Sequence, residues 1–345
     1  MGETEAIRTI KGKIYLTILI SVTVTFFTAF GITALVSYFT GYFNWLLVLI
    51  IASIYAAIQI VLQLLLGPSA IESHFGNKLN FISGGSGGAN KKVWNMVEKM
   101  SKEGNVKFAK IGILETSELN AFVYWGLGYG NAIVFTKGII EKLDDEELSG
   151  VCGHEIGHVK HGDMKAMIFL STLPIFLHTF YSYSQSQGKY KKDTVIWLLI
   201  FIIFLGALIA SQYLSLYLSR LREYHADSNA TDMKESPVPI AAALAKITYG
   251  NIGKGEAMLA TRKEVNMLCI VDPHSVARQT NNIAETVNSI SEIADHISDP
   301  DIDQGELEEE MKKEKKRGGE MERTHPLTVN RITFVVDYAK EIGVI

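Results

Sequence analysis

Residues 152–163 read CGHEIGHVKHGD, three histidines and a glutamate in one short stretch. On a helix, His154 and His158 lie on one face about one turn apart, so both imidazoles reach a single ion. Glu155 between them completes the order His-Glu-x-x-His. In that order two imidazoles bind zinc and the carboxylate is placed to take a proton from the attacking water. His161 shares the face, but seven residues at ~1.5 Å rise set it roughly 10 Å from His154, against zinc–nitrogen bonds of ~2.0–2.1 Å. A straight helix therefore excludes all three histidines on one ion. The longer zincin pattern is excluded too, because it needs glycine where His161 stands and histidine where Met164 stands. His161 is expected to face solvent or to lie behind the ligands.

A third ligand must come from elsewhere, and the candidate stretch is REYHAD, residues 222–227. Glu223 and Asp227 are four apart and share a helix face. Two histidines and one glutamate form a catalytic zinc set that leaves a fourth position for water. Asp227, one turn on, is placed to accept a hydrogen bond from a ligand histidine. The spacing is equally compatible with these carboxylates pairing with Arg220 and Arg222 on a juxtamembrane surface. A structural zinc site would favour four protein ligands, often cysteines. Cys152 falls on a different helix face from His154 and makes a poor fourth ligand.

The elements that must position these residues include long apolar blocks. Of the 345 residues, 48% are hydrophobic, and the excess is concentrated. Residues 14–39, 43–66 and 194–218 carry no charged side chain, and each exceeds the ~20 apolar residues that cross a bilayer. A shorter block, 167–183, contains Pro174 and His178. Together these predict an α-helical integral membrane protein of about four spans. The first block is too long for the apolar core of a cleaved signal peptide, and another span follows almost at once. Arg8, Lys11 and Lys13 before the first block, with no basic residue in the connection to the second, predict a cytoplasmic N-terminus. Lys189, Lys191 and Lys192, between the third and fourth blocks, pull against that orientation. The metal site bears on this: 152–163 precedes the third block and Glu223 follows the fourth, so they share a compartment only if both blocks cross or neither does.

The remaining chain reads as soluble. Residues 83–90, SGGSGGAN, have linker composition. Val93, Val97 and Met100 among charges mark a helix over 91–102. FAKIGILE and NAIVFTKGII read as strands, with the aromatic, glycine-rich LNAFVYWGLGYG between them. Asp144 with Glu147 makes a capping box, opening a helix that carries the metal motif and is expected to run on toward the third block. The fourth block should continue as helix through SRLREYHADSNATD, and PVPIAAALAKITYG is a further helix. Residues 299–320 are charge-dense and read as a solvated helix or disordered segment. Two cysteines, Cys152 and Cys269, suit a reduced compartment, and a net charge of −4 offers nothing to nucleic acid. The expected division is 1–66 as N-terminal segment and two spans, 67–163 as one catalytic half, 164–218 as two more spans, and 219–345 as the second catalytic half.

TKGIIEKLDDEELSGVCGHEIGHVKHGD, then two apolar blocks, then SRLREYHADSNATD and THPLTVNRI, resembles the HtpX-type membrane metallopeptidases, relatives of the CAAX prenyl endopeptidases. The likeness covers the order of spans and motifs over most of the chain. It implies a cytoplasmic α+β zincin-type (gluzincin) catalytic domain and one zinc ion per chain, held by His154, His158 and Glu223, with Glu155 as base. It also implies that Asn120 and Ala121 match the family's Asn-Ala motif on the strand beside the substrate. His325 and Arg331 match its C-terminal motif facing the active site. From the residues alone, Asn120 fits a turn, and His325 before Pro326 fits a loop or helix start. As preorganised donors, His325 and Arg331 suit the oxyanion of a tetrahedral intermediate.

The expected function is a multi-pass membrane endopeptidase with its active site on the cytoplasmic side. It would hydrolyse misfolded or damaged membrane proteins, a role the resemblance suggests. The expected partners are polypeptide substrates and the lipid bilayer. The competing readings are a selective processing protease of the CAAX type and a non-enzymatic scaffold stabilised by zinc.

Overall fold

The protein is described here from a computed structural model, in which residues 4–40, 45–168, 194–250, 325–326 and 328–345 are described. Two long helices open it, α1 (Glu5–Thr40) and α2 (Trp45–Phe75). Their apolar stretches match the first two blocks. Helix α2 runs on past its apolar part through Pro68. Proline has no N–H, so the Leu64 carbonyl four residues back loses its intrahelical donor. Leu127, far along the chain, supplies the missing bond by donating its N–H to Leu64 O at 2.9 Å.

The sheet follows. Strand β1 (Leu79–Ile82) leads to α3 (Gly88–Glu103), β2 (Phe108–Leu114), β3 (Ala121–Gly126) and β4 (Gly130–Thr136). The order is β1-β2-β4-β3, with β2 and β4 parallel and the outer pairs antiparallel. Alternation splits the strands between two cores. Ala121, Val123, Ile133 and Phe135 face Val93, Val97 and Met100 of α3. Phe122, Tyr124, Ala132 and Val134 face Phe75 at the end of α2. Strand β1 was not foreseen: its four residues, LNFI, are too short a run to show a period. The linker is shorter than its composition implied, since α3 starts at Gly88. NAIVFTKGII is strand only to Thr136, whose side chain accepts from Ile139 N and caps α4 (Lys137–Lys142).

The predicted capping box opens α5 (Asp145–His161): Asp144 accepts from the N–H groups of Glu146 and Glu147, and Glu147 reaches back to Asp144 N. The helix does not run on as expected. Gly162, at φ 73°, terminates it in a left-handed turn, and the chain resumes as helix over 163–168. Beyond 168 the third apolar block lies outside the described residues, as do the lysines at 189–192, Cys269 and the charged stretch 299–320. The fourth block does continue without a break through REYHAD, as α6 (Thr194–Lys234). Among the described residues one helix, Phe201–Lys234, is long and apolar enough to cross a membrane by length and composition. Helices α7 (Val238–Gly250) and α8 (Thr328–Glu341) complete the described chain.

Helices α5 and α6 touch backbone to backbone. A Cβ added at Gly153 would lie 3.2 Å from Ala230 Cα, and one at Gly157 3.0 Å from Ala226 Cα. Asn229 locks the register: it donates to Gly153 O at 2.8 Å and accepts from Lys160 at 3.2 Å. Lys246 of α7 pairs with buried Glu147 at 2.8 Å, tying α7 to the start of α5. Replacing Gly157 with valine should force these helices apart. Overpacking of this kind costs about 1–3 kcal/mol, to be read as a lowered thermal midpoint of the detergent-solubilised protein together with weakened metal binding.

Candidate metal centre

The close α5–α6 approach decides which carboxylate meets the histidines. His154 Nε2 and His158 Nε2 lie 3.1 Å apart. Glu223 of α6 places Oε2 3.5 Å from the first and Oε1 3.6 Å from the second. A tetrahedral ion with bonds of ~2.0–2.1 Å holds its ligand atoms about 3.4 Å apart. The three side chains therefore stand near the separations such an ion requires, with candidate ligand atoms within 4.8 Å of one another. Glu223 Oε2 is buried without a contact of hydrogen-bond geometry among the described residues. The donor set, two imidazoles and one carboxylate, fits zinc.

Each histidine is held from behind by a carboxylate. His154 Nδ1 lies 2.9 Å from Asp227 Oδ1, the partner that the i,i+4 spacing from Glu223 suggested. His158 Nδ1 lies 2.7 Å from Asp163 Oδ2. Ionised carboxylates only accept, so both Nδ1 atoms donate to them and both Nε2 atoms face the centre, where each would offer its lone pair to a metal on losing its proton. Asp163 is the functional residue that reading the sequence missed. A signal was present, because glycine just after the last helical position turns the chain back, and here the next residue is Asp163.

Arg331 of α8 stands behind the carboxylates. It donates to Asp227 from Nε at 2.8 Å and from Nη2 at 2.6 Å, and its Nη1 lies 3.2 Å from Glu223 Oε2. At 1% exposure it is buried, and its Nη2 also lies 3.4 Å from His154 Nδ1. His325 Nδ1 lies 3.3 Å from Glu223 Oε2, also buried. The C-terminal motif thus meets the ligand shell through Glu223 and Asp227. The alternative pairing of these carboxylates with Arg220 and Arg222 is not what forms. Arg222 instead donates to Asp163 O at 3.4 Å and Ser219 Oγ at 3.0 Å.

These charges shape one another. Burial pushes the Glu223 carboxyl up, but His325 and Arg331 outweigh it and hold the group well below the usual carboxylate range. Asp227 follows the same pattern, with burial overcome by Arg331. Burial pushes His154 down, yet the surrounding Asp227 and Glu223 carry its imidazole up to about 9. The field between the rings thus favours positive charge, whether on a proton or on a metal ion. Glu155 is buried next to the ligands, and burial raises its carboxyl above the ordinary value despite the opposing pull of His154 and His158.

The other expected residues fall nearby or aside. Asn120 precedes β3, its N–H and C=O both tied to Thr136, and Ala121 opens that strand. Strand β3 pairs only with β4 among the described residues, and it packs beside α5. His161 is half-buried rather than solvated: its ring stacks on His225 at 3.4 Å with an interplanar angle of 4°. It takes no part in the metal cluster. Cys152 lies in the apolar core, its thiol pushed up by burial and by Glu155.

The description Peptidase family M48 matches residues 88–339. The chain belongs to that family. This M48 peptidase is 31% identical over 200 residues to the "Protease HtpX homolog" of Bacteroides fragilis (strain YCH46), covering 55% of this chain and 61% of that one. It is 29% identical over 188 residues to the "Protease HtpX homolog" of Methanothermobacter thermautotrophicus, covering 54% of this chain and 69% of that one. The likeness to HtpX read from the motifs is therefore borne out. The chain spans about three fifths of the length of the Bacteroides relatives it matches. Among solved structures, the crystal structure of S. mikatae Ste24p aligns with a TM-score of 0.47 at 16% identity, covering 94% of this chain and 66% of that one.

Removing a partner that orients a metal-ligating histidine lowers metal affinity about 10- to 100-fold. Asp163→Asn should do so with the fold intact, measured as zinc lost to a competing chelator at matched thermal midpoint.

Proposed function

We propose that this M48 peptidase is a membrane-embedded zinc endopeptidase acting on the cytoplasmic side. The convergence of His154, His158 and Glu223 beside buried Glu155 carries the reading. His154, His158 and Glu223 would hold the ion. When bound, it supplies Lewis acidity, polarising a carbonyl and lowering the pKa of water. Glu155, with its proton affinity raised by burial, takes the proton of the attacking water and hands it to the leaving amine. Asp163 and Asp227 keep the imidazole lone pairs aimed at the centre. Arg331 positions Asp227 and Glu223 from behind. His325, beside Glu223, is the remaining donor for oxyanion stabilisation.

Substrate binds in this reading as an extended strand along the edge of β3 that no described strand pairs, beside Asn120 and Ala121. Main-chain pairing supplies affinity with little sequence preference, which suits misfolded or damaged membrane proteins. The membrane reading takes α1, α2 and the apolar part of α6 as spans, with the third block completing a hairpin and the halves 67–163 and 219–345 forming the catalytic domain. The meeting of α5 with α6 supports the hairpin, because a single crossing between them would divide the metal ligands. Arg8, Lys11 and Lys13, in the first turns of α1 ahead of its apolar stretch, support a cytoplasmic site.

Glu155→Gln should retain zinc and lose casein cleavage by about 10²- to 10⁴-fold, whereas Glu223→Ala should lose zinc and cleavage together. Cleavage by Glu155→Gln at the parental rate would remove the mechanism. His325→Phe should lower turnover at unchanged zinc content. Loss of zinc in that variant would assign His325 to holding Glu223 instead.

A further inference from the structure

The β3–β4 hairpin ends in a tip that the peptidase chemistry does not use. Its sequence from Gly126 is GLGYG, and Leu127 at its apex is 53% exposed. The tip is fastened to α2 within the last residues of the charge-free stretch 43–66. Pro68 frees the Leu64 carbonyl, and Leu127 N–H takes it at 2.9 Å. The fit is close: a Cβ on Gly126 would lie 2.8 Å from Leu64 O and would overlap Pro68 Cγ. On the same side, Lys165 Nζ lies 4.9 Å over the ring of Trp125, the last side chain of β3. Lys165 stands two residues before the third apolar block begins. The boundaries of two apolar blocks thus meet at this hairpin end. At the same level along its axis α2 exposes Val61, Leu62, Leu65 and Leu66, and Leu127 is exposed at the tip fastened there. Tryptophan with a lysine beside an apolar belt is the composition of a membrane interface.

We propose that the hairpin tip at Trp125 and Leu127 is seated in the interfacial layer of the bilayer, so that the edge of β3 begins at the lipid surface. This rests on the reading of α2 as a span. From Gly126 the strand runs about 17 Å, at ~3.4 Å per residue, to Ala121. It lies beside α5, and the chain that leaves α5 past Gly162 reaches the same hairpin end at Lys165. A polypeptide leaving the bilayer meets this edge at its first extended residues and is led along it toward the metal centre. The substrate class is accordingly the segment just outside a membrane span, favoured over the same sequence free in solution.

The test uses the full chain in vesicles of phosphatidylethanolamine and phosphatidylglycerol, with Cys269→Ser and a nitroxide at one introduced cysteine. Leu127→Cys is compared with Ile54→Cys, inside the apolar stretch of α2, and with Lys102→Cys, on exposed α3. Oxygen should relax the label at 127 more than a water-soluble nickel chelate does, the reverse of position 102. Chelate access at 127 equal to that at 102, with 54 protected, overturns the proposal and leaves the membrane reading standing. Protection at 127 from both reagents means that protein covers the tip, and also overturns it. Chelate access at both 54 and 127 removes the span and the proposal with it. In the same vesicles Leu127→Asp should cut a membrane-anchored substrate about fivefold more slowly, while casein is cut at the parental rate. Equal slowing of both substrates would reject guidance by the membrane.

Discussion

Everything at the centre depends on how closely α5 approaches α6. Zinc–ligand bonds are ~2 Å long, so a carboxylate on one helix reaches imidazoles on another only when the separation and register of the two helices are both fixed. Gly153 and Gly157 opposite Ala230 and Ala226 allow that approach, because no Cβ on α5 stands between the helices. Asn229 then sets the register through Gly153 O, one residue before His154. A slip of one turn along α6 would bring Asp227 or Ser219 to the position of Glu223. The geometry of the centre is thus a packing result before it is a coordination result.

Such packing buries charge. Glu223, Asp227 and Arg331 are each at or below 2% exposure, and removing one partner from a buried set of this kind costs about 3–5 kcal/mol. The set holds together because every charge has a specific opponent. Arg331 meets Asp227 through two hydrogen bonds and faces Glu223 with its third nitrogen. A divalent ion between the imidazoles would add positive charge where the carboxylates already favour it, so metal binding would reinforce stability. The C-terminal helix therefore packs into the candidate metal centre through Arg331, although it offers no candidate ligand.

Proline at position 68 links the sheet to α2. By withholding one N–H it converts a helical carbonyl into an acceptor for a strand hairpin, and Glu72 one turn on accepts from both Tyr124 and Lys110 of the sheet. The edge strand is consequently fixed to α2 at its end and to α5 along its length. A substrate strand added there would pair with a template held from both sides.

Much of this was legible in the residues. Spacing alone placed His154 and His158 on one face, excluded His161, and put Glu223 and Asp227 one turn apart, because helical period is a local property of the chain. Asp144 and Glu147 announced the start of α5 for the same reason. Composition marked the apolar blocks, and the ordered motifs marked the HtpX likeness. Tertiary structure decided what local pattern cannot encode. It determined that Glu223 turns to the histidines while Arg331, more than a hundred residues away in sequence, opposes it. It determined that Asp163 folds back past Gly162 onto His158, and that the short strand β1 joins the sheet. These depend on which backbones come within bonding distance, and that distance is set by glycines, a proline and the packing of the whole core rather than by the spacing of any one segment.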